Sequence, residues 1–213
     1  MPTCCGQNYD RVFNRRNAER ELRRYRRQGP KGATGRLVTA LLSRLPPEPS
    51  LLDIGGGVGV IQHELAAAGA ASVTAVDASG PYLEVVHTEA RRRGYGRRHG
   101  QHEGDFVEIS DTVETADVVT LDKVICCYPD MPRLVRASAE KAKSLYGIVV
   151  PIEGAILRAA FRTLNVGLRV FRCEFEVFLH RHREIDAVAE RAGLRLVHAE
   201  SGVIWSVRVY ARP

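Results

Sequence analysis

The chain has 213 residues, a formal net charge of +6 and 45% hydrophobic residues, which is enough for one domain with a full core. No apolar run reaches the roughly 18 residues that a membrane span requires, and the first residues lack the apolar segment of a secretion signal. We therefore expect a soluble, cytoplasmic protein without a membrane span.

Five cysteines form two adjacent pairs and one single residue, an odd total that does not indicate a disulfide framework. Structural zinc sites usually separate their cysteines by about two to four residues, unlike these neighbours. We expect reduced thiols and no metal ion, with metal binding by the two pairs as the alternative. The cysteines are Cys4, Cys5, Cys126, Cys127 and Cys173.

The first 36 residues carry ten arginine or lysine residues against three acidic ones, so positive charge concentrates there. Within this stretch Ala18, Leu22 and Tyr25 recur at helical spacing, which predicts an amphipathic helix over residues 14–28. A basic helix attracts an anionic substrate or nucleic acid, and a solvated helix face is the alternative.

A second helix is predicted over residues 34–45, where leucines share one face and Thr34 is placed to cap the N-terminus. The proline-rich segment 46–49 ends this helix. We therefore divide the chain into a basic N-terminal helical cap over residues 1–46 and a main domain over residues 47–213. The cap is expected to act as a lid over the site of the main domain.

A glycine-rich turn follows the first predicted strand. Gly55, Gly57 and Gly59 allow positive φ angles and close approach of a ligand to the backbone, and the next helix points its first N–H groups at that ligand. The pyrophosphate-binding turn of dinucleotide enzymes has the different spacing G-x-G-x-x-G. Asp53 lies two residues before the turn, where its carboxylate would repel a diphosphate but suit a ligand with an ammonium group.

Segment Leu51–Gly59 resembles the first motif of class I S-adenosylmethionine-dependent methyltransferases at every position: two hydrophobic residues, an acidic residue, a hydrophobic residue and Gly-x-Gly-x-Gly. Two further acidic positions fit this family. The second predicted strand ends in Asp77, whose carboxylate suits both ribose hydroxyls. Gly104-Asp105-Phe106 is similar to the family motif that takes the adenine amino group.

The resemblance implies S-adenosylmethionine as the cofactor and an α/β, Rossmann-like fold. This fold has a seven-stranded, mostly parallel sheet with an antiparallel last strand and helices on both faces. The alternation of strands and helices after Leu51 favours the same architecture. The cofactor-binding residues that the resemblance implies are Asp53, Gly55, Gly57, Gly59, Asp77, Ala78, Asp105, Phe106 and Leu121.

Apolar periodicity and turn residues define the other elements. The predicted strands cover residues 50–54, 72–77, 100–104, 117–121 and 146–151, and a final hairpin covers 194–199 and 203–211. The predicted helices cover residues 58–68, 81–93, 131–144 and 155–167. His63 and His87 fall on these helices and are expected at the surface.

The loop after the fourth predicted strand, residues 122–130, is expected to face the transferring methyl group, because ligands of open α/β sheets bind at the carboxyl ends of the strands. Asp122 is the candidate that orients or deprotonates an acceptor, and Tyr128 the candidate that stacks on it or hydrogen-bonds to it. A turn carboxylate and a core aromatic are the structural alternatives for these two residues. The predicted substrate pocket comprises Tyr25, Lys123, Cys126 and Cys127.

The leading interpretation is an enzyme that methylates a small molecule, such as a specialised metabolite or a tetrapyrrole. The basic first 36 residues keep an RNA methyltransferase as an alternative, although the chain has no recognisable RNA-binding module. A cofactor-binding protein without turnover and a dehydrogenase are the remaining alternatives.

Overall fold

Seven strands form one mixed sheet in the computed structural model, which describes residues 13–170 and 176–213. The strands are Ser50–Ile54 (β1), Ser72–Asp77 (β2), His99–Glu103 (β3), Ala116–Asp122 (β4), Ala142–Pro151 (β5), Arg195–Ser201 (β6) and Trp205–Ala211 (β7). They are hydrogen-bonded in the order β3-β2-β1-β4-β5-β7-β6, and β7 runs antiparallel to both neighbours. The predicted seven-stranded sheet with an antiparallel last strand is confirmed.

Eight α-helices accompany these strands in the described residues. They are Arg15–Gln28 (α1), Gly32–Leu42 (α2), Val60–Ala67 (α3), Gly80–Arg92 (α4), Phe106–Ile109 (α5), Met131–Glu140 (α6), Ala155–Val170 (α7) and His182–Arg191 (α8). The helix predicted over residues 131–144 is too long. It ends at Glu140, because Ala142 already pairs with Ala116 of β4 and begins β5.

Helices cover both faces of the sheet, as predicted, because neighbouring residues of a strand point to opposite faces. Leu51 belongs to the core on the face covered by α2 and α3, and Leu52 to the core on the face covered by α6 and α8. Strand β1 is therefore held on both sides immediately before the glycine turn, which fixes the position of that turn.

Helix α1 begins after Asn14, whose side chain accepts a backbone N–H of the first turn. Its apolar stripe, Ala18, Leu22 and Tyr25, is buried as predicted and packs in one cluster with Val58 of the glycine turn. The first helix therefore lies beside the turn that connects β1 to α3.

Helix α2 begins at Gly32, so the prediction that Thr34 caps it is wrong. Thr34 is a buried residue inside the helix, and its hydroxyl donates to Asp122 at the end of β4 over 2.6 Å. Helix α2 packs closely on β5, because a Cβ at Gly147 would lie 2.9 Å from a methyl group of Leu37. This packing holds Thr34 at the carboxyl end of the sheet.

Glu89 of α4 connects α4 to α1. Its side chain is fully buried and accepts hydrogen bonds from Arg26 of α1 and from Arg92 and Arg93. Against the opposing effect of burial, these guanidinium groups hold the pKa of Glu89 well below its usual value. Part of the positive charge of the N-terminal region is therefore used in an internal contact.

Candidate active site

The turn between β1 and α3 has the left-handed backbone conformation that glycine permits. Gly55, Gly57 and Gly59 have φ angles of 61°, 57° and 74°, a region in which other residues are strained. A Cβ at Gly57 would meet no atom closer than 4.0 Å, on the ring of Tyr82, so the backbone is open to a ligand there. The first turn of α3 adds the N–H groups that a helix start leaves without partners.

Asp53 lies beneath this turn. Its carboxylate is fully buried and accepts hydrogen bonds from Oγ1 of Thr120 at 2.5 Å and Nε2 of Gln62 at 2.9 Å. Burial raises the pKa of Asp53 to about 6, and the two donors oppose this shift. A Cβ at Gly56 would lie 1.9 Å from Oδ2 of Asp53. Sequence reasoning did not single out Gly56, whose need for glycine follows only from the folded position of this carboxylate.

A cavity of about 60 Å³ lies beside the turn, at the carboxyl ends of β1, β2 and β3. The predicted site residues that it brings together are Gly55, Asp77, Ala78, Asp105, Phe106 and Tyr128. The predicted cofactor residues that do not line it are Asp53, Gly57, Gly59 and Leu121. The cavity therefore joins the glycine turn to the two later acidic positions.

Two carboxylates border this cavity. Asp77 accepts the N–H of Ser79 at 2.9 Å, and burial raises the pKa of Asp77 to about 6. Asp105 caps α5 by accepting the N–H of Val107 at 2.9 Å. The hydroxyl of Tyr128 lies 3.2 and 3.1 Å from the two carboxylate oxygens of Asp105. Tyr128 thus connects the loop after β4 to the loop after β3.

Asp122, the last residue of β4, has one satisfied and one unsatisfied carboxylate oxygen. Its Oδ2 accepts hydrogen bonds from Oγ1 of Thr34 at 2.6 Å and Nζ of Lys123 at 3.1 Å. Its Oδ1 lies 3.0 Å from the same ammonium as an ion pair, but it is buried and accepts no well-aligned hydrogen bond in the described residues. Such an oxygen marks a place where a ligand can donate a hydrogen bond.

This carboxylate is close to the glycine turn. Lys123 has the left-handed φ of 65°, which is unusual for a residue with a side chain. The next residue, Val124, packs against the turn so closely that a Cβ at Gly55 would lie 2.6 Å from it. Burial raises the pKa of Glu21 in α1, and the positive charge of Lys123 is one of the influences that oppose this shift. The first helix, the turn and the end of β4 therefore meet here.

Cys126 and Cys127 lie in a short 3₁₀ turn of the same loop, with their sulfur atoms 3.8 Å apart. The carbonyl of Cys126 accepts the N–H of Phe178 at 2.7 Å, and Nε2 of His180 lies 3.1 Å from the carbonyl of Tyr128. The segment that precedes α8 therefore packs on this loop. Sequence reasoning did not find Phe178 or His180, because no motif connects them to residues 122–130.

Tyr25 packs against α3 and does not line the cavity. Its ring stacks on His63 at a centroid distance of 5.6 Å, and its hydroxyl donates to Glu64 at 2.6 Å. The expectation that His63 lies at the surface is wrong. His63 is 1% exposed, and its two ring nitrogens contact the hydroxyl of Tyr95 and the carbonyl of Val58.

In the described residues, no group of three or more His, Cys, Asp or Glu side chains is placed to hold a metal ion. Within the same part of the chain, no helix combines the length and apolar character needed to cross a membrane. Cys126 is buried and Cys127 is partly buried, and Cys4, Cys5 and Cys173 lie outside the described residues.

The strand order, the inserted antiparallel β7, the glycine turn after β1 and the carboxylates after β2 and β3 define the class I methyltransferase fold, whose cofactor is S-adenosylmethionine. The family model described as a methyltransferase domain matches residues 22–199. The chain belongs to this family of S-adenosylmethionine-dependent methyltransferases. A comparison with curated proteins gives no match.

Solved structures with the same fold include several methyltransferases. Magnesium protoporphyrin IX methyltransferase from Synechocystis PCC 6803, with bound SAH, has a TM-score of 0.69 and 16% identity over 98% of this chain and 100% of its own. An O-methyltransferase family protein from Burkholderia thailandensis has a TM-score of 0.72 and 16% identity over 100% of this chain and 64% of its own. An O-methyltransferase family 2 protein from Planctomyces limnophilus, in complex with apigenin, has a TM-score of 0.66 and 17% identity over 96% and 63%.

Proposed function

We propose that the protein transfers the methyl group of S-adenosylmethionine to an oxygen atom of a small-molecule acceptor, such as a specialised metabolite or a tetrapyrrole-like compound. The observation that carries this proposal is Oδ1 of Asp122, which lies at the end of β4 close to the glycine turn, forms an ion pair with Lys123 and accepts no well-aligned hydrogen bond from the part of the chain that the structure describes. Transfer to a hydroxyl oxygen needs a group that takes its proton, and Asp122 is in place for this role.

The residues around the cavity fit the cofactor. Gly55, Gly57 and Gly59 give an open backbone for the ligand. In this proposal Asp77 with Ala78 binds the ribose and Asp105 with Phe106 binds the adenine, and all four line the cavity. Asp53 supports the turn from below, and Leu121 lies in the core behind it. When bound, S-adenosylmethionine supplies an electrophilic methyl group on a positively charged sulfur. The buried carboxylates of Asp53 and Asp77 favour a cation at this place.

Thr34 and Lys123 prepare Asp122 for proton transfer. Thr34 donates to Oδ2 and Lys123 contacts both oxygens, so Oδ1 is the oxygen with fewer donors and is the one we assign to the hydroxyl of an acceptor. The ammonium of Lys123 lies 3.0 Å from Oδ1 and stabilises negative charge that develops on the acceptor oxygen. Much of the remaining acceleration comes from holding the reacting atoms in line.

The surroundings of Asp122 favour a small acceptor. Cys126, Cys127 and Tyr128 follow in the same loop, and Phe178 and His180 pack on it from the segment before α8. Small thiols and aromatic rings suit a planar molecule, with the hydroxyl of Tyr128 as a polar anchor. The similar structures include O-methyltransferases, which agrees with this chemistry, although their low identity transfers only the fold.

The test uses the full chain with radiolabelled S-adenosylmethionine and separate pools of hydroxylated aromatic compounds, hydroxyl-bearing tetrapyrroles, total RNA and protein. We expect label in a small-molecule pool. Asp122→Asn should lower kcat by about 100-fold or more and leave the affinity for SAH within about twofold. Label in RNA alone, or full turnover by the variant, would refute the proposal. Asp130→Asn is the matched control, because Asp130 is an exposed cap of α6 and Asn caps equally well.

A further inference from the structure

A chain of hydrogen bonds extends from beneath the glycine turn, through α3 and β3, to α4. Gln62 is 1% exposed and His99 is 8% exposed. Nε2 of Gln62 donates to Oδ2 of Asp53 at 2.9 Å, and Oε1 of Gln62 lies 3.0 Å from Nε2 of His99. Nδ1 of His99 lies 3.4 Å from Nδ1 of His87 on α4. Gln62, His99 and His87 do not line the cavity, and the chemistry described above uses none of these three side chains.

The carboxylate sets the direction of each hydrogen bond in this chain. Because an ionised Asp53 can only accept, the amide nitrogen of Gln62 faces it and the amide oxygen faces His99. His99 therefore donates through Nε2, and its Nδ1 is left to accept from His87. Burial, assisted by His87, lowers the pKa of His99 to about 4, so its ring is neutral at pH 7. The chain consequently has a single arrangement of protons.

Gln62 also touches the turn itself. A Cβ at Gly59 would lie 3.3 Å from Cδ and Oε1 of Gln62. The same side chain therefore packs on the backbone of Gly59 and holds the carboxylate that lies under Gly56. If its amide rotated, Asp53 would keep one donor, Thr120, and the turn would lose a contact.

We propose that Gln62 and His99 are positioning residues for cofactor binding. His99 fixes the orientation of the Gln62 amide, and Gln62 holds Asp53 and the backbone of Gly59 in the geometry that binds the cofactor. The two residues act through the turn rather than through contact with the ligand. This inference concerns the affinity for the cofactor, so it is tested without knowledge of the acceptor.

The test measures SAH affinity by calorimetry from about pH 5 to 8, with the full chain and the variants Gln62→Leu and His99→Phe. The charged groups that face Asp53 are Asp122 on β4 and Asp77 on β2, and both are unchanged in these variants. Gln62→Leu should weaken binding about tenfold, the effect of one hydrogen bond to a charged group. The pH at which affinity is lost should also rise, because Asp53 loses a donor that lowers its pKa. His99→Phe should also weaken SAH binding and raise the pH at which affinity is lost, both by less than Gln62→Leu does.

Ser138→Ala is the matched control, because Ser138 is a buried residue that hydrogen-bonds Tyr146 away from the turn. It should lower thermal stability and leave both the SAH affinity and its pH midpoint unchanged. Wild-type affinity and midpoint in Gln62→Leu would overturn the inference, as would an equal loss of affinity in Ser138→Ala. If Gln62→Leu does not fold, His99→Phe decides: a weaker affinity with a shifted midpoint supports the inference, and unchanged values overturn it.

Discussion

Thr34 and Asp122 are joined by a hydrogen bond of 2.6 Å, which connects the second helix of the chain to the end of the fourth strand. The hydroxyl of Thr34 donates to Oδ2 of the carboxylate and at the same time accepts from Nζ of Lys123 at 2.7 Å. The N-terminal helices therefore contribute directly to the place where the proposed proton transfer occurs.

Replacement of this hydroxyl should affect catalysis more than cofactor binding. Thr34→Val keeps the shape of the side chain but leaves Oδ2 of Asp122 with one donor fewer, and we expect kcat to fall about tenfold. Thr34→Ser keeps the hydroxyl and should restore most of the rate. Steady-state kinetics, with SAH calorimetry as a check on the cofactor site, measures the effect. A parallel loss of SAH affinity in Thr34→Val would instead indicate a general disturbance of the helix.

The hydroxyl of Tyr128 contacts the carboxylate of Asp105, which is proposed to receive the adenine amino group. Because its hydroxyl lies 3.1 Å from Oδ2 of Asp105, removal of this donor should free Asp105 for the ligand. We expect Tyr128→Phe to bind SAH about threefold more tightly. This gain corresponds to a small fraction of the free energy of a hydrogen bond to a charged group. Calorimetry measures the change, and Tyr146→Phe is the control, since Tyr146 is buried in the core. Weaker binding by Tyr128→Phe would show that the hydroxyl assists the cofactor.

The affinity for the cofactor should depend on pH. Burial raises the pKa of both Asp53 and Asp77 to about 6, so both are mostly ionised at pH 7 and become protonated as the pH falls through 6. A positively charged ligand loses its attraction in the same interval, and SAH, which lacks the sulfonium charge, should lose less than S-adenosylmethionine. Calorimetry of both ligands from about pH 5 to 8 checks this. Equal, flat profiles would contradict it.

Asp77→Asn should separate binding from stability. A carboxylate whose pKa is raised by folding favours the folded state below its unfolded pKa, and this contribution is lost as the pH rises through about 6. At pH 7 the ionised Asp77 therefore destabilises the folded state. We expect Asp77→Asn without ligand to melt at the same temperature as the wild type or higher, and to bind the cofactor more weakly. A lower melting temperature at pH 7 would mean that the hydrogen bonds which Asp77 accepts from backbone N–H groups stabilise the fold by more than its burial destabilises it.

Two neighbouring glycines of the turn should respond differently to alanine. At Gly56 the new Cβ would lie 1.9 Å from Oδ2 of Asp53, so Gly56→Ala must displace the carboxylate. At Gly57 the space is open and the cost is the left-handed φ of 57°, about 1 kcal/mol. We expect a larger loss of unfolding free energy in Gly56→Ala, measured with urea. Similar losses would show that the turn relaxes around the added methyl group.

Local patterns predicted much of the fold. The bounds of β1 and β2 agree with the prediction to the residue, because each is an apolar run with an acidic residue at or next to its end and a turn directly after it. The start of β5 was placed too late, since residues 142–145 become a strand only by pairing with β4. Thr34 was assigned to a cap for a similar reason: a threonine near a helix start has the same local pattern whether it binds the backbone or a distant carboxylate.

The sequence by itself determined the class of protein, because the glycine turn, Asp77 and Asp105 are short motifs that follow strands, and parallel strands bring their carboxyl ends together. Only the tertiary structure decided how the site is supported. The contacts of Thr34 with Asp122, of Phe178 with Cys126 and of His99 with Gln62 join residues remote in the chain. Such contacts depend on the packing of whole helices against the sheet, and no periodicity or spacing within one segment contains that information.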